Sequence, residues 1–307
     1  MRRVLVTGAA GFVGRRVVAD LRARGIEVVA TARTPGPGLT AIGSATPQTD
    51  WRPWLDGCDG LIHLLARVHR GGSGTDADYL ADNRDITARL ARDAAAAGVR
   101  RLVFVSSIKV NGETSRPGAP FCPDDAPAPA DAYGRSKLAA EQALHAVAAE
   151  TRLEIVVVRP PLVYGPGVRA NFELLIRLVA LGLPLPFARL DNRRSLVGLR
   201  NLSDFLLACL DHPNAAGETY LVADDPAVSL PALLRAIGLA LGQPARLFGL
   251  DPGVLKALLR LAGGEGLVDR LAGELVVDTS KAQAQLGWQP RFRLDEELAD
   301  TVAARRH

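Results

Sequence analysis

The chain opens with two alternating patterns. Val4 to Val6 is a short apolar run that breaks into a glycine turn. Phe12, Val13, Val17, Val18 and Leu21 then recur at helical spacing until Gly25 ends the pattern. Residues 27–31, 60–64, 102–106 and 155–159 are further compact apolar runs, and residues 79–97 and 133–150 carry helical patterns between them. The runs are continuously apolar rather than alternating, as expected of parallel strands covered on both faces. Strands alternating with helices predict a doubly wound α/β sheet with right-handed crossovers.

Beyond Pro166 the texture changes. Residues 171–181 and 202–210 read as helices, 195–197 and 219–223 as short apolar stretches, and the chain from Ser229 onward as mostly helical with glycine breaks. This predicts one α/β domain of residues 1–168 plus about 195–223 and a smaller, mostly helical one of about 169–194 plus 224–307. Residues 117–129, rich in Pro, Ala and Asp, read as a surface loop.

Composition narrows the function. Lys and Arg number 37 against 33 Asp and Glu in 307 residues, and the net charge of +4 is dispersed, so no basic stripe argues for nucleic acid. Cys58, Cys122 and Cys209 are far apart and form no CxxC, which argues against a metal site and for a reducing, cytoplasmic setting. No apolar run approaches the ~20 residues of a membrane span. The opening Met1-Arg2-Arg3 before Val4 faintly mimics a signal peptide, but Thr7-Gly8 breaks the run at once.

The glycines of Thr7-Gly8-Ala9-Ala10-Gly11-Phe12-Val13-Gly14 lie at the first strand–helix junction. A turn there lets backbone approach a pyrophosphate, and the helix N-terminus offers unpaired N–H groups to it. An acidic residue is expected roughly 20 residues further on, to bind the ribose of NAD. The second run ends instead in Thr31-Ala32-Arg33, and Glu27 sits at its other end. A guanidinium there fits a 2′-phosphate, so the pattern predicts NADP(H), with NAD(H) as the alternative. Asp50, with Trp51 beside it, is a candidate for the adenine side.

Tyr133 and Lys137 stand four residues apart on one helix face, downstream of Ser106-Ser107 at a strand end. A phenol with a pKa of about 10 is a poor acid–base group near neutrality, and a nearby ammonium is expected to pull it down. Lys137 could also hold the nicotinamide ribose, and Ser107 could donate to a carbonyl oxygen of the substrate.

With these features together, the chain resembles the extended short-chain dehydrogenase/reductases, the epimerase/dehydratase group that acts on nucleotide sugars. The resemblance rests on the glycine turn, His63-Leu64-Leu65-Ala66, Asn83, Ser106-Ser107, Tyr133-Gly134-Arg135-Ser136-Lys137 and the stretch from Arg159 to Pro166. It continues through Asn171-Phe172, Arg194-Ser195-Leu196-Val197 and Leu286-Gly287-Trp288-Gln289-Pro290. It implies a Rossmann-type fold and a catalytic trio of Ser107, Tyr133 and Lys137. It further implies cofactor contacts from Gly8, Gly11, Phe12, Val13, Gly14, Leu64, Leu65, Ala66, Ser106, Pro160 and Val163, with Asn83 also near the cofactor. Asn83 reads more readily as a brace than as a catalytic group, and His63 as a satisfied core histidine. His69 reads as a loop residue near the mouth of the site.

Within the group, residues 107–113 and 192–197 look like those of bacterial reductases of UDP-4-keto-6-deoxy-N-acetylhexosamines in surface-polysaccharide synthesis. That likeness implies substrate contacts at Ser107, Lys109, Asn111, Asn171 and Arg194. A 4-epimerase of UDP-hexoses with tightly bound NAD uses the same trio and is the alternative; a non-catalytic NADP(H) sensor is a third. Three departures from the epimerase pattern stand out: the missing ribose acid, Asn111 where a tyrosine is usual, and Leu275-Val276-Val277-Asp278 where an Arg-x-Gly-Asp often grips the diphosphate. The resemblance also implies a possible homodimer through residues 79–97 and 133–150, and no nucleic-acid or membrane partner.

Overall fold

The computed structural model describes residues 1–68 and 75–305, apart from the side chain of residue 265. His69 lies outside the described residues. The strands are β1 (Arg3–Thr7), β2 (Glu27–Ala32), β3 (Thr40–Ala41), β4 (Gly60–His63), β5 (Arg101–Val105), β6 (Glu154–Arg159), β7 (Leu162–Tyr164), β8 (Arg193–Arg194), β9 (Leu196–Gly198), β10 (Thr219–Leu221) and β11 (Val228–Ser229). The helices are α1 (Phe12–Ala23), α2 (Arg52–Leu55), α3 (Asp76–Leu80), α4 (Ile86–Ala96), α5 (Ala132–Glu150), α6 (Ala170–Ala180), α7 (Leu199–Asp211), α8 (Leu230–Leu241), α9 (Pro252–Gly263), α10 (Glu265–Ala272), α11 (Ser280–Leu286) and α12 (Leu294–Ala303).

Among the described residues the main sheet has seven strands in the order β10-β6-β5-β4-β1-β2-β3. Every neighbouring pair in it is parallel. Its faces explain the unbroken apolar runs. Val4 and Val6 of β1 pack with α1 and α7, whereas Leu5 between them packs with Leu90, Ala94, Ala140 and Leu144 on the opposite face. Each strand residue thus meets a helix on one side or the other. The strand order reverses between β1 and β4, and that switch point opens the crevice where ligands sit in such sheets.

A separate core holds the C-terminal region. Phe172 and Ile176 of α6, Leu230 and Leu234 of α8 and Leu298 of α12 pack with Leu196 of β9 and Tyr164 of β7. The apolar stretch near residue 196 therefore forms a strand that pairs with β7 outside the main sheet, while β10 joins the main sheet beside β6. A β-strand this short takes its place from whichever neighbour is in reach, which no local pattern reveals.

The helix expected over 79–97 is not uniform. It begins at α3, where Thr75 caps it with a capping box to Asp78, and widens into a π-turn over Ala81–Asp85 before continuing as α4. Asn83 lies in that turn, and Thr87 Oγ1 donates to its carbonyl at 2.6 Å. Single π-turns inside helices commonly mark functional sites, since they re-aim a side chain that regular winding would carry elsewhere.

Candidate active site

The crevice begins at the glycine turn between β1 and α1. Gly8 has φ of +69°, and a Cβ on it would lie 3.0 Å from the backbone of Leu64 and Leu65. A Cβ on Gly14 would fall 2.2 Å from the Gly8 carbonyl oxygen. Gly11 caps α1 with no side-chain hydrogen bond, so the amides of the first turn, including Phe12 and Val13, stay free of a competing cap. The cradle fits an anionic dinucleotide: a tight turn, close backbone and an uncapped positive helix end. Thr7 ties the turn to β4, because its hydroxyl accepts from the amides of Leu64 and Leu65 at 3.3 and 3.4 Å. Gly8 and Leu64–Ala66, far apart in sequence, thereby form one wall.

His63 lies directly below this wall. It is buried, stacks on Phe104 and shares hydrogen bonds with Thr7 Oγ1 at 2.6 Å and Thr87 Oγ1 at 2.9 Å. Burial, with help from the Lys137 charge, pushes it down to about 3, so it is a neutral, satisfied core histidine.

The trio sits at the C-terminal end of β5. Ser107 leaves β5 in extended conformation and caps the short 3₁₀ turn Ile108–Val110, its Oγ accepting from the Lys109 amide at 3.2 Å. Asp131 caps α5 through the Gly134 amide at 2.7 Å and so sets the start of the helix that presents Tyr133 and Lys137. The Ser107 hydroxyl lies near enough to the Tyr133 phenol to favour its ionised form. One turn deeper, Lys137 Nζ donates to the Val105 carbonyl at 2.6 Å and lies 4.0 Å from the centre of the Phe104 ring.

The electrostatics correct the expectation for Tyr133. Burial pushes the phenol up to about 12, with the nearby Ser107 hydroxyl opposing and the Asp131 charge adding a little. The anticipated downward pull of the Lys137 ammonium is not what sets its value. Lys137 is itself buried, and desolvation pulls it down to about 7 against the supporting charge of Glu141.

The other expected residues separate into groups. Arg33 is exposed just past the end of β2, in none of the ion pairs among the described residues. Asp50 is held at about 2 by its fork with Arg52, at 2.8 Å. Trp51 is a correction: it is fully buried in the core beside Leu55 and Leu90, its amide bound to Asp93, and a side chain with no accessible surface touches no ligand. Ser106 is buried and donates to Glu141, and buried Pro160 accepts from the Ile108 amide at 3.0 Å. Val163 is half-buried on β7. The Asn83 amide is fully committed: it accepts from the Arg67 amide at 2.7 Å and donates to the Arg67 carbonyl at 3.0 Å and to Ser136 Oγ at 2.8 Å. That is a brace between the exit of β4 and α5.

On the substrate side, Asn111 is not free to reach a ligand as expected. It is buried, accepts from Arg159 at 3.0 Å and donates to the Cys122 carbonyl at 2.9 Å. Lys109 bridges Glu113 at 2.8 Å and Asp131 at 2.6 Å. Arg194, on β8, donates through Nη1 to the carbonyls of Asp269 and Gly273, both at 2.9 Å, and burial lowers its pKa. Asn171 is exposed in the first turn of α6. Sequence reasoning missed Glu141 and Arg159, which form a buried ion pair at 2.6 Å behind the trio. The clue was present: Tyr133, Lys137 and Glu141 follow one another at intervals of one helical turn.

Residues 4–223 match a described family, the NAD dependent epimerase/dehydratase family. The chain belongs to that family. Its members are oxidoreductases and epimerases, and this family member is an enzyme of that kind. It is 38% identical to a UDP-glucose 4-epimerase of Vibrio cholerae, over 99% of this chain and 95% of the relative. A solved structure of MoeE5 in complex with UDP-glucose and NAD matches with a TM-score of 0.81 at 28% identity, covering 99% of this chain and 98% of that one. The UDP-N-acetylglucosamine 4-epimerase from Bacillus cereus shares the fold, with a TM-score of 0.83 at 20% identity and full coverage of both chains. Among the described residues of this family member, no helix is long and apolar enough to cross a membrane.

Proposed function

We propose that the protein is an NADP(H)-dependent reductase of the C4 ketone of a UDP-linked 4-keto-6-deoxy-N-acetylhexosamine. The observation that carries the reading is exposed Arg33, standing just past the end of β2 where a ribose acid is expected, beside a trio of Ser107, Tyr133 and buried Lys137 that can serve a ketone reduction. When bound, the reduced nicotinamide supplies the hydride that reaches C4. Ser107 donates to the C4 oxygen and holds it against Tyr133. Tyr133, kept protonated by burial to about 12, gives its proton to that oxygen as the alcohol forms. Lys137 holds the ribose side of the cofactor. Arg33, exposed where a ribose acid would stand, supports the 2′-phosphate of NADP(H).

The second reading is a UDP-hexose 4-epimerase with tightly held NAD. It is favoured by the full-length likeness to the Vibrio cholerae enzyme and by NAD in the MoeE5 structure. An epimerase needs Tyr133 first as a base and then as an acid, so the same trio serves both readings. We assign the sugar to residues 169–194 and 224–307, with Arg194 and Asn171 on the diphosphate side, and Lys109 at the mouth. A homodimer through α4 and α5 in a cytoplasmic setting belongs to the same proposal, and sedimentation of the purified protein tests the oligomeric part.

The deciding experiment supplies UDP-4-keto-6-deoxy-N-acetylglucosamine with NADPH or NADH and follows reduced-nicotinamide absorbance, with product stereochemistry by NMR. Oxidation of NADPH in preference to NADH is expected. Stoichiometric NAD retained through purification, with UDP-glucose and UDP-galactose interconverted and no NADPH consumed, establishes the epimerase instead.

A further inference from the structure

Glu141 shares the α5 face with Tyr133 and Lys137, one turn beyond the lysine. Its carboxylate is buried and completely used. Oε1 accepts from Ser106 Oγ and from Arg159 Nε at 3.0 Å, and Oε2 accepts from Arg159 Nη2 at 2.6 Å. Arg159, at the end of β6, uses its remaining nitrogen on Asn111 Oδ1 at 3.0 Å and the Pro123 carbonyl at 3.3 Å. Ser106 directly precedes Ser107, and Asn111 closes the 3₁₀ turn that Ser107 opens. One ion pair therefore grips both ends of the segment that carries the catalytic serine, and ties it to the helix that carries the tyrosine and lysine.

A buried ion pair is a poor way to gain stability, because desolvating both ions offsets their attraction and an apolar pair of similar size often does as well. The arrangement is better explained by what it positions. We propose that Glu141, held by Arg159, is a positioning residue of this site that fixes Ser107 against the helix carrying Tyr133 and Lys137. The proposal rests on the hydride-transfer reading of the trio.

The titratable groups facing Lys137 are His63 from β4, Tyr133 and Glu141 from α5, and Arg159 of β6 behind Glu141. His63 is neutral, pushed down to about 3, and Tyr133 stays protonated, so Glu141 is the anion that supports the ammonium against burial. Removing that anion moves the Lys137 titration to lower pH, by about one unit. Cofactor binding and turnover, where they need the ammonium, then fall away at lower pH than in the native enzyme.

The test is Glu141→Gln, with NADPH binding by calorimetry and turnover both followed across pH. The alkaline limb of each profile is expected to move down by about one pH unit. At the optimum, kcat is expected to fall roughly tenfold while KM for the sugar nucleotide changes little. The double variant Glu141→Gln/Arg159→Met removes both charges and spares the fold an unpaired guanidinium; the same loss of kcat is expected, with a smaller pH shift because the guanidinium had opposed the Lys137 ammonium. A folded single or double variant with native kcat, or with KM for the sugar nucleotide rising as much as kcat falls, overturns the proposal. Tyr133→Phe separates the two ideas: full turnover in that variant sinks the hydride-transfer reading, whereas native kcat in the Glu141 variants sinks only the positioning role.

Discussion

The two sides of the crevice are built in different ways. On the cofactor side, groups project from the ends of strands buried on both faces: the glycine turn from β1, Leu64 from β4, Ser107 from β5. On the side we assign to the sugar, Arg194 comes from the two-residue strand β8 and is held by carbonyls at the end of α10 and just beyond it, while Asn171 is exposed at the start of α6. A strand end in a packed sheet has one position, whereas a group held by loop and helix ends moves with them. The first side is thus suited to chemistry, which tolerates little displacement, and the second to recognition, which can vary.

This contrast can be broken most sharply at Tyr133. Tyr133→Phe is expected to lower kcat roughly 10²–10⁴-fold while NADPH binding, measured by calorimetry, stays near native. Gly14→Ala comes next. Its new methyl meets the Gly8 carbonyl and the Ala9 backbone, and no flexible side chain is there to yield. Loss of dinucleotide binding together with about 1–3 kcal/mol of stability in denaturant melts is expected. Arg194→Ala sharpens the contrast from the other side. KM for the sugar nucleotide should rise about tenfold, the equivalent of ~1.4 kcal/mol, with dinucleotide affinity unchanged. An equal loss in both would show that the two sides are not independent.

Smaller effects probe the edges. Arg33→Ala should weaken NADPH binding about tenfold and leave NADH unaffected, since only a 2′-phosphate needs the guanidinium. Lys137→Met should be read through stability. The folded lysine titrates at about 7 against its ordinary 10.5. In that interval the unfolded chain holds a proton that the folded one lacks, so this group makes stability rise with pH from about 7 to 10.5. Below about 7 both states are protonated and the burial penalty is fully felt. The methionine variant removes that rise, so its advantage in thermal melts should be largest near pH 7 and shrink toward 10.5. A constant difference between the two proteins over this range would show that Lys137 titrates normally.

How far the molecule was legible varies with how local the cause is. The strand and helix order was readable because burial on both faces leaves an apolar run, and because glycine stops are local. The trio was readable because four-residue spacing on a helix puts side chains together whatever surrounds it. Trp51 was misplaced because an aromatic residue next to a candidate polar one looks alike whether it faces a ligand or the core. Asn111 was expected at a ligand and instead has its amide committed to Arg159, whereas Asn83, placed near the cofactor but read first as a brace, is bound to Arg67 and Ser136 as a brace is. Those partners are distant in sequence.

What the chain determined by itself was the kind of chemistry: a glycine turn at a strand–helix junction, a Ser-Ser at a strand end and a Tyr, Lys and Glu on one helix face are consequences of local geometry. The tertiary structure decided the electrostatics. Tyr133 is raised rather than lowered, Lys137 is drawn toward neutrality, and Glu141 and Arg159 become a pair, because solvent exclusion and charge proximity depend on elements that meet only when the sheet closes over them.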